Sequence, residues 1–407
     1  MHPVGFGQTD VGRTREQNED CMFADDGLGL YVVCDGMGGH AAGEVASASA
    51  IETVAEELKS QIDTLTRCRR GQGPSEAVIG VVRDAVQKAC VKVWQLAAAD
   101  EARTGMGCTL TLLLVLGNKA FIAHVGDSRL YLLRAEKLSQ LTTDHTMANE
   151  LAQAGLISAE EVKDHQYAHV LTRAIGTQPH VTADVLMMDV VPGDRFLLCS
   201  DGLADHIDDE DWIGERLAEE TAIVPQSLID FANSNGGHDN VTVIAVAVEP
   251  DDPEIEIIDE MSSEVQGKFE ALQAVFMFEG LSLALLTRVL QSCDIDSYNP
   301  GDVVVSKGES CGELRIVLEG KLSLLEGKGD GERELGPGQH VGATTLLAPR
   351  AARATLAAKS ACRLLTLRRE PFWSLIKSRP WLGVGLLERL NRRLAEDIDD
   401  TSEGDGL

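Results

Sequence analysis

The sequence contains no uninterrupted apolar stretch approaching the ~18–20 residues that a membrane helix needs. Its first residues, MHPVGFGQTDVG, show neither the basic start nor the apolar segment of a signal peptide. From these two absences we expect a cytoplasmic protein with no membrane partner. Positive charge is scarce as well: 36 Lys and Arg stand against 65 Asp and Glu, a formal net charge of −29. Nucleic acids and anionic membranes bind through clustered Lys and Arg, so neither is an expected partner. Nine cysteines are present, but none pairs as C-x-x-C or falls into metal-ligand spacing with histidine, which argues against a disulfide or zinc framework. Cys34 and Cys199 lie inside apolar runs, where cysteine behaves as a small buried hydrophobe.

At 407 residues the chain is long for one core and comfortable for two, because domains cluster near ~100–200 residues. Short apolar runs rich in β-formers occupy 28–35, 109–116, 119–126, 129–134, 195–199 and 241–248, and these are expected strands. Gly117-Asn118 and Ala135-Glu136 are expected hairpin turns, which makes the middle of this half antiparallel. Residues 41–58 and 75–98 show helical periodicity; in the second, Val78, Val81, Val82, Ala85, Ala89, Val93 and Leu96 form one stripe behind a Ser75 N-cap. Strands in runs with helices kept to the outside predict a layered α+β domain rather than a doubly wound parallel sheet. The segment EPDDPEIEIIDEMSSE, 249–264, is acidic, carries two prolines and is expected to be a linker. Beyond it we expect an amphipathic helix over 266–291, short glycine-punctuated strands over 300–367, a helix over 371–398 and an acidic tail, 399–407.

Four aspartates sit at predicted strand ends: Asp35 in YVVCDG, Asp127 in AHVGDSR, Asp201 in LLCSDG and Asp239 in GHDNVTV. Any one alone reads as a solvated turn residue. Four at one sheet edge would repel unless a cation neutralised them, and an all-oxygen donor set favours Mg²⁺ or Mn²⁺ over zinc. Glycine after Asp35 and Asp201 would let a backbone carbonyl approach the same ion. GRTREQNED, 12–20, adds Arg15 to one side of a turn and Glu19 and Asp20 to the other, either as a surface charge cluster or as a fork for phosphate beside a metal.

Taken in order, GRTREQNED, VVCDGMGGH, CTLTLLL, HVGDSRLYLLR, LTTDHT, LTRAIG, LLCSDGL and HDNVTV resemble the bacterial form of the type 2C metal-dependent protein phosphatases, over residues 5–248. The resemblance implies a four-layer α-β-β-α sandwich around a dinuclear Mn²⁺ or Mg²⁺ centre. It implies phosphorylated proteins, products of Ser/Thr kinases, as substrates. By matched position, Asp35 would bridge both ions, the Gly36 carbonyl would ligate one, and Asp201 and Asp239 would complete the pair. Asp20 and Glu19 would act through bound waters, Asp127 with Asp201 would hold a third, weaker ion, and Arg15 would clamp phosphate. Met37 stands where eukaryotic relatives place a histidine, and His40 is expected to be a glycine-loop residue rather than the general acid. Residues 145–170 correspond to the variable flap, with MANELAQAGLISAEEV expected as a helix followed by a turn. The same chemistry leaves open the hydrolysis of small phosphomonoesters, and a catalytically silent scaffold is the rival of another class.

Residues 265–398 resemble a cyclic-nucleotide-binding domain, a β-roll with flanking helices, through NPGDVVVSKGESCGELRIVLEGKLSLL and LGPGQHVGATTLL. The family's ribose-binding Glu is replaced by Ala343 after Gly342. Arg350 and Arg353 flank the place of its phosphate-binding Arg, where ungapped register puts Ala352. A repurposed pocket answering to a small molecule or a protein regulator is expected. No helix-turn-helix follows the final helix, which disfavours a transcription factor.

Overall fold

The strongly apolar runs of the first half are strands buried on both faces, which is why they read as nearly continuous rather than alternating. The computed structural model describes residues 1–38, 42–207, 209–251, 255–325 and 333–402. The chain divides into two units, Met1–Asp259 and Glu260–Leu407.

In the first unit one antiparallel sheet runs Asp184–Asp189, Lys119–Val125, Leu110–Leu116, Leu30–Cys34, Cys21–Asp25. The other runs His2–Asp10, Val241–Glu249, Arg195–Cys199, Arg129–Arg134, Lys137–Gln140. Leu30, Val32, Cys34, Leu112 and Leu114 pack against the helices Ala42–Ser60 and Ser75–Ala99. The intervening Tyr31, Val33, Leu113 and Val115 are fully buried on the opposite face. Leu197, Cys199, Val243 and Ala245 pack against Glu210–Leu217 and Val224–Ser234, while Phe196, Leu198, Ile244 and Val246 are buried between the layers. Strand Val241–Glu249 packs on Leu30–Cys34, so the sheets lie face to face and the layers run α-β-β-α.

Both expected hairpins form, with Leu116 opposite Lys119 and Arg134 opposite Lys137. Ala135 and Glu136 both take positive φ, 48° and 62°, in the second turn. Ser75 is the first residue of its helix; Pro74 occupies the cap position and no side chain caps it, since Pro at that point already supplies the extended dihedral. Val81 and Leu96 of the expected stripe are only partly buried, and Val86 and Cys90 take the buried positions. The strand His2–Asp10, whose Gly5 and Gly7 hide its pattern, was not expected. Tyr31 and Met22 side chains press on those glycines: a Cβ at Gly5 would lie 2.1 Å from Tyr31 and one at Gly7 2.7 Å from Met22 Sδ.

Part of the expected linker is helical: Ile255–Gln273 is one helix, because Pro250 and Pro253 both precede it and nothing inside it breaks the turn. Residues 252–254 of that segment lie outside the described residues. The single helix expected over 266–291 is two, Ile255–Gln273 and Leu283–Gln291, the second capped by the Ser282 hydroxyl. The last expected helix is likewise divided at Arg379, where Pro380 cannot continue the preceding turn, into Arg369–Ser378 and Pro380–Ser402. The latter runs into the expected acidic tail, of which 403–407 lie outside the described residues.

The second unit folds as two four-stranded antiparallel sheets. One is Cys293–Tyr298, Cys362–Arg368, Glu313–Glu319, His340–Val341; the other is Val303–Val305, Thr355–Ala358, Leu322–Leu325, Arg333–Leu335. Gly301, Gly308, Gly320, Gly338 and Gly342 all take left-handed φ at the turns. Helices pack on the first sheet through Phe269, Leu272, Phe278, Leu286, Phe372 and Leu386.

Candidate metal centre

Antiparallel strands deliver their ends to a common edge, and the acidic residues of the first unit collect there. Asp35 follows Leu30–Cys34, Asp127 follows Lys119–Val125 after Gly126, and Asp201 follows Arg195–Cys199 after Ser200. Asp20 stands directly before Cys21–Asp25 and Asp239 shortly before Val241–Glu249. Asp20 and Asp127 are only 7 % and 9 % exposed, which is unusual for carboxylates unless something compensates their charge.

The electrostatics identify what is compensated. Burial pushes the Asp35 carboxyl well above its usual range, and the neighbouring charges of Asp201 and Asp20 push it further. Burial raises Asp127 too, helped by Asp201 and Asp144. Asp201 is raised by burial, opposed by a hydrogen bond with Asp35 and reinforced by Asp205 and Asp239. Asp20 is raised by burial against the hydrogen bonds of Thr242 and Ser200; the Ser200 hydroxyl donates to its Oδ2 at 2.7 Å. Asp20 Oδ1 and Asp201 Oδ1 are buried and take no hydrogen bond among the described residues. Clustered carboxylates that raise one another, with orphaned oxygens turned inward, fit hard divalent cations.

Gly36 admits no side chain: a Cβ there would lie 2.3 Å from the Gly43 carbonyl oxygen and 2.5 Å from that of Glu19. Glu19 is held by its own backbone, its N–H donating to Asn240 Oδ1 at 2.8 Å and its carbonyl accepting from the Ser47 hydroxyl at 2.7 Å. A Cβ on Gly43 would come 2.4 Å from Glu19 Oε2, so that carboxylate lies against the start of the first helix. Arg15 Nη2 donates to Asp239 Oδ2 at 2.7 Å, and the Asp239 charge raises the guanidinium pKa. Arg15 is thus half exposed at the rim beside the carboxylates.

Several residues of the site were missed in the sequence. Ser200 is fully buried and also accepts from the Thr242 N–H at 2.9 Å. Asn240 Nδ2 donates to the Val11 and Gln17 carbonyls, at 2.9 Å each, and so folds the turn bearing Arg15. Thr109 Oγ1 accepts from the Asp35 N–H at 2.8 Å. All three stand in quoted motifs beside a named aspartate or at a strand start, which was the available signal. His169 and Asp205 bring ligand atoms within 4.8 Å of one another and of Asp201. Met37 is half-buried, and His40 lies outside the described residues. The segment 145–170 holds the expected helix, Met147–Gln153, capped by Thr146.

In the second unit, Gly342 precedes the short helix Ala343–Leu347 and Ala343 is buried. Arg350 lies in the exposed bridge Arg350–Ala351, paired with Ser310–Cys311, and Arg353 is exposed. Ala352 packs against the apolar interior of the roll.

Comparison with known proteins places both units. The family model for a cyclic nucleotide-binding domain matches residues 295–379. The chain is 34% identical over 252 residues to the protein phosphatase PhpP of Streptococcus pneumoniae, covering 60% of this chain and 98% of that protein. The crystal structure of the Mycobacterium tuberculosis serine/threonine phosphatase PstP/Ppp superposes with a TM-score of 0.55 at 35% identity, over 61% of this chain and all of that one. The PstP catalytic domain in complex with two manganese ions matches at 36% identity and a TM-score of 0.53, over 61% and 99%. The model for protein phosphatase 2C spans residues 13–233, and the chain belongs to that family.

Proposed function

We propose that the chain hydrolyses phosphoserine and phosphothreonine of proteins at the carboxylate edge of the first unit, with Asp35, Asp201, Asp239 and Asp20, aided by Glu19 and the Gly36 carbonyl, holding two Mn²⁺ or Mg²⁺ ions. The protein is a metal-dependent serine/threonine protein phosphatase. The observation that carries the residue assignment is the pair of buried, unpartnered carboxylate oxygens on Asp20 and Asp201, beside an Asp35 carboxyl that those two charges push up. When bound, the ions supply Lewis acidity that makes water nucleophilic near neutral pH and neutralise phosphoryl charge. Asp35 would hold that pair from the sheet edge, where its backbone N–H donates to Thr109 Oγ1. Arg15 turns its fork from Asp239 onto the substrate phosphate, where a planar guanidinium matches two oxygens at once. Asp127 with Asp201, whose charges act on one another, would hold a third, weaker ion.

No described helix is long and apolar enough to cross a membrane. We place the enzyme in the cytoplasm, acting on products of Ser/Thr kinases, with its second unit answering to a small molecule or a protein regulator. The test compares phosphopeptide with small-ester turnover in Mn²⁺ for the parent, Asp35→Asn and Asp239→Ala. Folded variants should lose turnover together with the rise in melting temperature that Mn²⁺ gives the parent, since an ion that binds only the native state stabilises it. Near-normal turnover in either folded variant would refute the assignment.

A further inference from the structure

We propose that His145 is a positioning residue that fixes the backbone of Gly126, and through it the Asp127 carboxylate, to both roots of the segment 145–170. The proposal rests on the reading of Asp127 as a ligand of the third ion.

His145 engages both polar backbone groups of Gly126. Its N–H donates to the Gly126 carbonyl at 2.7 Å, and its Nδ1 accepts from the Gly126 N–H at 3.1 Å. Gly126 has φ +106°, and a Cβ there would lie 2.6 Å from Thr109 Cγ2, so the strand end has one path into Asp127. The same Thr109 shares a 2.7 Å hydrogen bond with Ser128 and accepts from the Asp35 N–H. One small polar cluster therefore sets the backbone on both sides of the carboxylate edge.

The imidazole packs on one neighbouring ring and lies beside an ion pair. Its ring stacks on that of buried His124, centroids 4.8 Å apart. With Nδ1 accepting, the neutral ring carries its proton on Nε2. That N–H lies 3.9 Å from Asp184 Oδ2, beyond hydrogen-bond reach, and cannot accept from Arg173 Nη1, 3.2 Å away, which donates instead to Asp184 Oδ1 at 3.3 Å. Asp184 is the cross-strand partner of His124, so that strand pair sets the anion beside the two histidine rings. The His145 carbonyl accepts from the Thr172 N–H at 2.8 Å, and Thr146 bridges to Leu171. Both ends of the segment thus close on one buried histidine, itself 6 % exposed. A shift of either root moves Gly126 and the direction in which Asp127 points.

Mn²⁺ binding is measured by calorimetry on the full chain, beside melting temperature and phosphopeptide turnover. His145→Phe keeps the stack on His124 but accepts nothing. We expect it to keep two tight ions and weaken the third about ten- to a hundredfold, the usual effect of removing an outer partner of a ligand. His145→Asn, which restores an acceptor near the Nδ1 position, should bind the third ion as the parent does. Asp184→Ala, at a partly exposed position that spares the fold, should fall between the two. Parent-like third-ion binding in His145→Phe overturns the proposal, as does an equal loss of all ions with a lowered melting temperature. Should His145→Phe not fold, unchanged third-ion binding in Asp184→Ala overturns it instead. Asp127→Ala is the control: if the third ion survives it, the reading of Asp127 is what fails.

Discussion

Arg15 pairs with Asp239 at the rim of the site, and we propose that it binds the substrate phosphate. Its bond to Asp239 is an exposed ion pair, and such pairs contribute ~0–1 kcal/mol to stability. Arg15→Ala should therefore leave the melting temperature nearly unchanged. Losing a charged fork on phosphate removes about 1.5–3 kcal/mol of interaction, so KM for phosphopeptide should rise roughly ten- to a hundredfold. Any accompanying fall in kcat measures charge left uncompensated in the transition state. Steady-state kinetics at saturating Mn²⁺ decide this, and an unchanged kcat/KM would reduce Arg15 to a surface charge. The aspartates were legible together because each flanks an apolar run. Ser200, Asn240 and Thr109 were not, because a hydroxyl or amide in a strand motif gives no sign of which backbone group it will meet.

At the scale of elements, the sheets were readable wherever apolar residues run together, and unreadable where glycine replaces them, as in His2–Asp10. Helix ends misled for a related reason: Pro74 and Pro380 set dihedrals that a capping or periodicity argument overlooks. One polar pair shows what the strands need beyond apolar burial. Arg134 Nε donates to Asp194 Oδ1 at 2.7 Å and Nη2 to Oδ2 at 2.5 Å, while Asp194 Oδ2 also accepts from the Val191 N–H. Asp194 is 1 % exposed, so the pair is desolvated and joins the end of Arg129–Arg134 to the turn before Arg195–Cys199. Removing one partner strands a buried charge, which costs about 3–5 kcal/mol. Asp194→Ala should lower stability by that amount in denaturant melts, whereas the double variant Arg134→Met/Asp194→Leu should recover much of it. Equal stability of parent and Asp194→Ala would show the pair to be solvated in solution.

At the scale of the whole molecule, the second unit matches the cyclic nucleotide-binding model but carries Ala343 where its resemblance would place a ribose-binding Glu. Ala343 is buried and cannot accept from a ribose hydroxyl, and Arg350 and Arg353 are exposed. Without that charge-assisted acceptor, cyclic AMP and cyclic GMP should bind the full chain at least roughly tenfold more weakly than a site retaining it, by about 1.5–3 kcal/mol. Calorimetry showing micromolar or tighter binding of either nucleotide would contradict this. The sequence alone determined a layered α+β domain followed by a second domain, the strand-end aspartates and the hard-cation chemistry, from apolar period and an oxygen-only donor set, while the four-layer sandwich and the β-roll came from ordered motifs that resemble known families. Tertiary structure alone decided that Gly36 must be bare against Gly43, that Asn240 folds the Arg15 turn, and that His145 closes on Gly126. The first is a steric limit between backbone segments, and the other two are hydrogen bonds whose partners lie 19 to 229 residues away and are fixed only by the tertiary fold.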